Sequence, residues 1–176
     1  MLRNTLMKLA ILILSLSLPV TAPADLTAAN SRKPAPDFTL SDSKGASIKL
    51  SAYKGRVVVL DFWATWCEGC KVEIPWYMEF QTKYKESGLA VVGVSMDEDG
   101  WKSVRPFLAE RKINYAVVVG NEALAKLFGV DALPVTLLID RNGKIADVRV
   151  GMVEKNAFES EIQVLLKDTA EKKQPN

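Results

Sequence analysis

Two cysteines stand three positions apart in Cys67-Glu68-Gly69-Cys70, and the chain has no others. Disulfide stabilisation grows with the size of the loop closed, and this loop is nearly the smallest available. A bridge here would add little stability and would be readily reduced, so the pair reads as a redox couple rather than a staple. The preceding segment, Arg56 to Trp63 (RVVVLDFW), has the β-branched apolar character of a buried strand, and a helix is expected to follow. A cysteine at a helix N-terminus gains from free N–H groups and the positive end of the dipole, which favour thiolate. Thiolate is the attacking species in disulfide exchange. The spacing also divides the work: Cys67, ahead of the first turn, should be exposed and attack, while Cys70, one turn in, should be shielded and resolve the mixed disulfide. Two blander readings are an inert surface pair and half of a zinc site. Zinc needs two more N or S ligands, which only a dimer could supply here.

The 176 residues contain no histidine. That removes Ser-His-Asp and Cys-His hydrolases, His-ligated zinc or haem, and any histidine base. Proton handling falls to a carboxylate. Asp61 interrupts the apolar run Val57 to Phe62, where an unpaired charge is costly to bury. A buried acid has a raised pKa and can take the proton of the Cys70 thiol. The alternative is a strand-end aspartate satisfied by backbone or water. Lys and Arg total 23 against 21 Asp and Glu, and two of the cations, Arg3 and Lys8, lie in the first 24 positions, which hold no acid. The remainder is formally neutral, which argues against nucleic acid as a partner.

The elements around this site alternate. Strands are expected at 37–40, 48–50, 56–63, 89–95 and 115–119, then at 135–140 and 144–150 around Asn142-Gly143, a hairpin signal. Helices are expected at 70–85, within 100–112, from Asn121 to Gly129, and at 154–167. Pro106 must start, kink or interrupt the second of these. This order makes an α/β fold: a mixed, mostly parallel sheet covered by helices on both faces. Trp63, Trp76 and Trp101 read as core or groove wall, and residues 168–176 as a loose polar tail.

The first 24 residues look like an address. Met1 to Lys8 is short and basic, Leu9 to Leu18 (LAILILSLSL) is apolar, and Ala22-Pro23-Ala24 offers the small residues a signal peptidase reads. The apolar run is about half of the roughly 20 residues that span a bilayer. A secretory signal is expected, with an uncleaved anchor as the alternative. Residues 25–35 read as a linker and 36–167 as the folded domain, outside the cytoplasm.

The segment Asp61-Phe62-Trp63-Ala64-Thr65-Trp66-Cys67-Glu68-Gly69-Cys70-Lys71 resembles the active-site segment of thioredoxins. Pro75 resembles the helix-kinking proline of that fold, and Ala132-Leu133-Pro134-Val135-Thr136 the segment that carries its cis-proline. With Ala35-Pro36-Asp37-Phe38-Thr39-Leu40 and the signal sequence, residues 34–166 are similar to exported thioredoxin-like proteins of the TlpA/ResA group, relatives of the cytochrome c maturation thioredoxins. One departure stands out: the residue before the second cysteine, usually proline in the family, is Gly69.

The resemblance implies a thioredoxin-like fold and a redox-active Cys67–Cys70 disulfide as the only redox group, with no metal or other cofactor. It implies that Leu133–Pro134 is cis and, with Trp66, contacts the client chain. It also implies that Asp61 handles the proton of Cys70 and that Glu98 is the acid such proteins place near the cysteines, the alternative being a solvated loop charge. The expected partners are thiols and disulfides of exported proteins, such as apocytochrome c, and a membrane electron donor, with the chain a monomer. Between the cysteines there is no histidine to activate Cys67 further, which favours a reductant over an oxidase. A peroxidase of the peroxiredoxin type is the second reading. Those enzymes place Thr three and Pro seven positions before the attacking cysteine, and here those positions hold Ala64 and Leu60. A copper-binding chaperone is the third, but related copper proteins add a histidine.

Overall fold

The computed structural model describes residues 26–168. The expected signal segment and all of the expected tail but Asp168 lie outside the described residues. Among those described, no helix is long and apolar enough to cross a membrane.

A short hairpin, β1 (Thr39–Ser41) and β2 (Ser47–Lys49), forms a two-stranded antiparallel sheet of its own. The main sheet holds β3 (Val57–Trp63), β4 (Leu89–Ser95), β5 (Ala116–Val119), β6 (Val135–Ile139) and β7 (Ile145–Val150), in the spatial order β5-β4-β3-β6-β7. Pairing is parallel from β3 to β4 and β4 to β5, and antiparallel from β3 to β6 and β6 to β7. The expectation of a mostly parallel sheet is therefore corrected to an even mixture. The hairpin around Asn142-Gly143 forces β7 against β6, and the loop before Pro134 returns β6 against β3.

The helices are α1 (Glu68–Tyr84), α2 (Trp101–Arg111), α3 (Glu122–Phe128) and α4 (Lys155–Lys167). Helix α1 starts two residues earlier than expected, because Cys67 itself serves as its N-cap. Pro106 lies inside α2, and Asn121 caps α3 by accepting from the Leu124 N–H at 2.9 Å.

Strand β3 is buried on both faces along its whole length. Val58, Leu60 and Phe62 join a core with Phe128 and Leu137; Val57 and Val59 join another with Tyr77, Phe80, Phe158 and Ile162 from α1 and α4. The alternation of side chains along a strand therefore places Asp61 beneath α1. The stretch expected to be a linker is instead docked. The Thr27 N–H donates to the Ala146 carbonyl and the Ala35 N–H to the Gly143 carbonyl, both at 2.9 Å, and Arg32 pairs with Asp140 at 3.1 Å. At the same end of the sheet, the Arg141 guanidinium donates to three carbonyls, those of Gly55, Ser87 and Leu166, at 2.8, 3.0 and 3.0 Å. Gly88 is required there twice over: its φ is +98°, and a Cβ would lie 2.6 Å from an Arg141 nitrogen.

Candidate active site

The C-terminal end of β3 delivers Ala64 to Trp66 into a tight turn, closed by the Cys67 N–H donating to the Ala64 carbonyl at 3.1 Å. Cys67 and Cys70 are joined by a disulfide with Cα atoms 5.3 Å apart. The Cys67 sulfur accepts the Cys70 N–H at 3.2 Å. A helix N-terminus leaves several such donors unpaired, so a thiolate released at Cys67 already faces one.

Cys67 is 6% exposed and Cys70 1%. The expectation of an exposed Cys67 is corrected: with its sulfur tied to Cys70 it packs beside Trp63, Ala64 and Ile74. The order of the two is nonetheless the expected one. Exposure at the site comes from the neighbouring Trp66, at 64%, while Trp63 is wholly buried and Trp76 and Trp101 partly so. Leu133 is half-buried and packs on the cluster that holds both cysteines. The Leu133–Pro134 bond is cis. Pro134 lies across the cysteine turn: a Cβ at Gly69 would sit 3.4 Å from its Cδ and 3.1 Å from the Met152 Cγ. Glycine at this position gives the Met152 side chain room against the turn, while Pro134 would meet a Cβ only at ordinary contact distance. Met152 is itself 61% exposed and, with Trp66, gives the site an apolar rim.

Asp61 is 1% exposed, and neither carboxyl oxygen has a hydrogen-bond partner among the described residues. Burial, and then the neighbouring Glu73 carboxyl, push its pKa well above the usual carboxylate range. Glu73 projects from α1 one turn past Cys70 and is wholly buried. One of its oxygens accepts the Val153 N–H at 2.6 Å, which fixes the loop carrying Met152, and the other has no partner. Burial raises the Glu73 pKa too. Beside this pair Tyr77 and Thr136 share a hydrogen bond of 2.8 Å, and Thr136 is the residue opposite Asp61 on β6. The structure thus sets two buried carboxyls, both with pKa values raised by burial, under the start of the cysteine helix.

Glu98 is exposed in the turn after β4 and has no hydrogen bond or ion pair among the described residues. Its neighbour Asp97 is the built-in acid of that loop. Asp97 is 5% exposed and accepts from the Thr65 N–H at 3.0 Å, from the Thr65 hydroxyl and from the Ser95 hydroxyl at 2.7 Å. It is a positioning residue, pinning the turn just ahead of Trp66. Asp97→Asn loses part of this set and should destabilise the fold by about 1–3 kcal/mol. At about 2–4 °C per kcal/mol, calorimetry should show a clearly lower Tm.

Glu73, Asp97 and Met152 were not singled out from sequence. Glu73 carried a signal: a charge beside Ile74 and at i+3 from Cys70, on the stripe the helix buries. Asp97 carried none that separated it from Glu98 and Asp99.

A dithiol pair at the head of a helix, approached by a cis-proline loop and fed by a central parallel strand, is the arrangement of the thioredoxin-fold oxidoreductases. The chain belongs to the AhpC/TSA family, whose model matches residues 32–148. It is 36% identical over 129 residues to the thiol-disulfide oxidoreductase ResA of Bacillus thuringiensis subsp. konkukian, covering 72% of this chain and 73% of that one. The ResA of Geobacillus kaustophilus is 34% identical over 130 residues, covering 73% and 74%. Among solved structures, a Chlorobium tepidum protein assigned as thiol:disulfide interchange protein DsbE superposes with a TM-score of 0.73 at 38% identity, over 77% of this chain and 96% of that one. The protein is a thiol-disulfide oxidoreductase, and Cys67–Cys70 is its disulfide.

Proposed function

We propose that the protein is an extracytoplasmic reductant that breaks disulfides in exported proteins, apocytochrome c among them, and is recharged by a membrane electron donor. The observation that carries the direction is the pair of buried carboxyls. A strong oxidant owes its potential to a stabilised reduced form, and stabilising that form means stabilising thiolate. Asp61, with neither oxygen hydrogen-bonded, and Glu73, held through one oxygen by the Val153 N–H, lie beneath the cysteine helix and, once ionised, oppose negative charge there. They favour the disulfide over the dithiol and hence give electrons away.

The Cys67 thiolate attacks a client disulfide; the Cys67–client bond forms as the client S–S bond breaks and the leaving sulfur departs as thiolate, to be protonated by solvent. Asp61, ionised, takes the Cys70 proton. The Cys70 sulfur then attacks Cys67, forming Cys67–Cys70 and releasing the second client thiolate. Two electrons pass to the client. Leu133 has no backbone hydrogen bond among the described residues, which leaves its polar groups for an extended client segment.

Equilibration with glutathione buffers tests the direction. A potential near or below about −250 mV supports a reductant, and one near about −120 mV makes the protein a disulfide donor instead. Trp66→Ala should separate client binding from redox chemistry. Losing an exposed aromatic anchor should raise KM for a protein disulfide about tenfold, the scale of an interface hot spot, with the potential unmoved. An unchanged KM would remove Trp66 from the client surface.

A further inference from the structure

Charge is distributed unevenly between the two ends of the sheet. The strands β3 and β4 run toward the cysteines, and their starting ends lie about 20 Å away at the rise of an extended strand. Around those starting ends Lys54 and Arg56 line one depression, and Arg141, Lys144 and Lys167 line a second, of 710 Å³. The two adjoin through Asp140 and Gly143 or Asn142 at the β6–β7 turn. Lys33 stands exposed beside them, its carbonyl accepting the Ile145 N–H.

None of these six cations is within ion-pairing distance of a carboxylate among the described residues, and the four lysines carry the free charge, the Arg56 and Arg141 guanidinium groups being engaged by backbone carbonyls. Asp140 is taken by Arg32 and Asp37 by Lys49, which leaves Glu86 and Asp168 as the opposing surface acids. The cysteine end has the other sign: Glu98, Asp99 and Asp131 are exposed on the loops after β4 and before β6, against Lys102. A surface neutral in total is therefore polarised along the strand direction.

The position of the chain's N-terminal side bears on what the basic end meets. Leu26, the first described residue, packs against the α1–α4 core, and Ala29 and Asn30 line the same depression as Arg141, Lys144 and Lys167. The 25 residues before it, with their apolar run Leu9 to Leu18, are joined to the domain at this end. We infer that the basic pole is a docking surface for the anionic headgroups of a phospholipid bilayer. Attraction between unpaired cations and anionic headgroups is additive and falls off within a Debye length. Each lysine at such a surface contributes about fivefold in affinity.

The test uses the full chain with vesicles of phosphatidylcholine alone or with about one-third phosphatidylglycerol, read by co-sedimentation at low and high salt. The wild-type protein should prefer the anionic vesicles at least about tenfold, and salt should remove that preference. The triple variant Lys54→Glu, Lys144→Glu, Lys167→Glu should lose most of the preference while reducing a small soluble disulfide at the wild-type rate, which shows that it is folded. Lys102→Glu with Lys126→Glu, away from the pole, should bind as wild type. A triple variant that keeps the full preference would assign it to Arg3 and Lys8 and overturn the proposal. So would a wild-type protein that ignores both vesicles but binds heparin through the same lysines.

Discussion

Cys70→Ser should stop turnover without stopping the first attack. The variant retains Cys67 at the helix N-cap with the residue-70 N–H still available to its sulfur. What it lacks is the sulfur that resolves the mixed disulfide. Turnover should fall at least about a thousandfold, the scale on which removing an essential nucleophile acts. A covalent adduct between Cys67 and the client should accumulate, visible on a non-reducing gel and dispersed by dithiothreitol. Cys67→Ser should lose turnover equally and form no adduct, because Cys70 is 1% exposed and cannot reach a client. Adducts through Cys70 in that variant would reverse the roles of the two sulfurs.

Asp61→Asn should damage activity and improve stability together. As the acceptor for the Cys70 proton, the carboxylate contributes on the order of a hundredfold to ten-thousandfold to resolution. The variant should lose that factor and the corresponding limb of the pH–rate profile. Stability moves the other way. Burial and Glu73 raise the folded pKa of Asp61 well above its ordinary 3.8, so across that interval the native state holds a proton that the unfolded chain releases. Native stability therefore falls as pH climbs from about 4 toward the raised value. Asparagine cannot ionise. The variant should be the more stable protein at about pH 8, by about 1.4 kcal/mol for each unit by which burial raises the folded pKa above the unfolded one. The gap should close toward about pH 4, where Asp61 is protonated in both states. Chemical denaturation at the two pH values measures it. A full-rate variant with an unchanged profile would leave Asp61 a passive core residue.

The sequence made the redox pair and its frame legible because each rests on a local pattern. The run before Cys67 could be little but a buried strand, and Asn121, Gly129 and Asn142-Gly143 marked their boundaries by backbone preference. Strand direction was harder. Nothing local to Val135–Ile139 says that it pairs antiparallel to β3, and so the balance of the sheet was misjudged. The docking of residues 27–35 was hidden for a related reason: the stretch is polar and contains prolines, and its partners are carbonyls and Asp140, more than 100 positions away. At the site, spacing at a strand-to-helix junction pointed to Cys67 and Cys70, the family motif to Pro134, and the charge within an apolar strand to Asp61. Glu73 required the distance to Asp61 and Val153 to be seen. The choice of Glu98 over Asp97 turned on which of two adjacent side chains faced inward, and the turn after β4 fixes that only in three dimensions.

Arg141 has a consequence for the order in which the chain can be completed. Its guanidinium joins carbonyls at positions 55, 87 and 166, so the last of the three is made only after nearly the whole domain is available. A chain delivered N-terminus first can form α1 and the parallel pair β3–β4 early, yet it leaves the Leu166 carbonyl and the face of α4 unclaimed until the end. Contacts of such long sequence separation are assembled late. The redox turn is local and the latch is remote. The dithiol segment can therefore take shape, and meet other thiols, before the domain has locked.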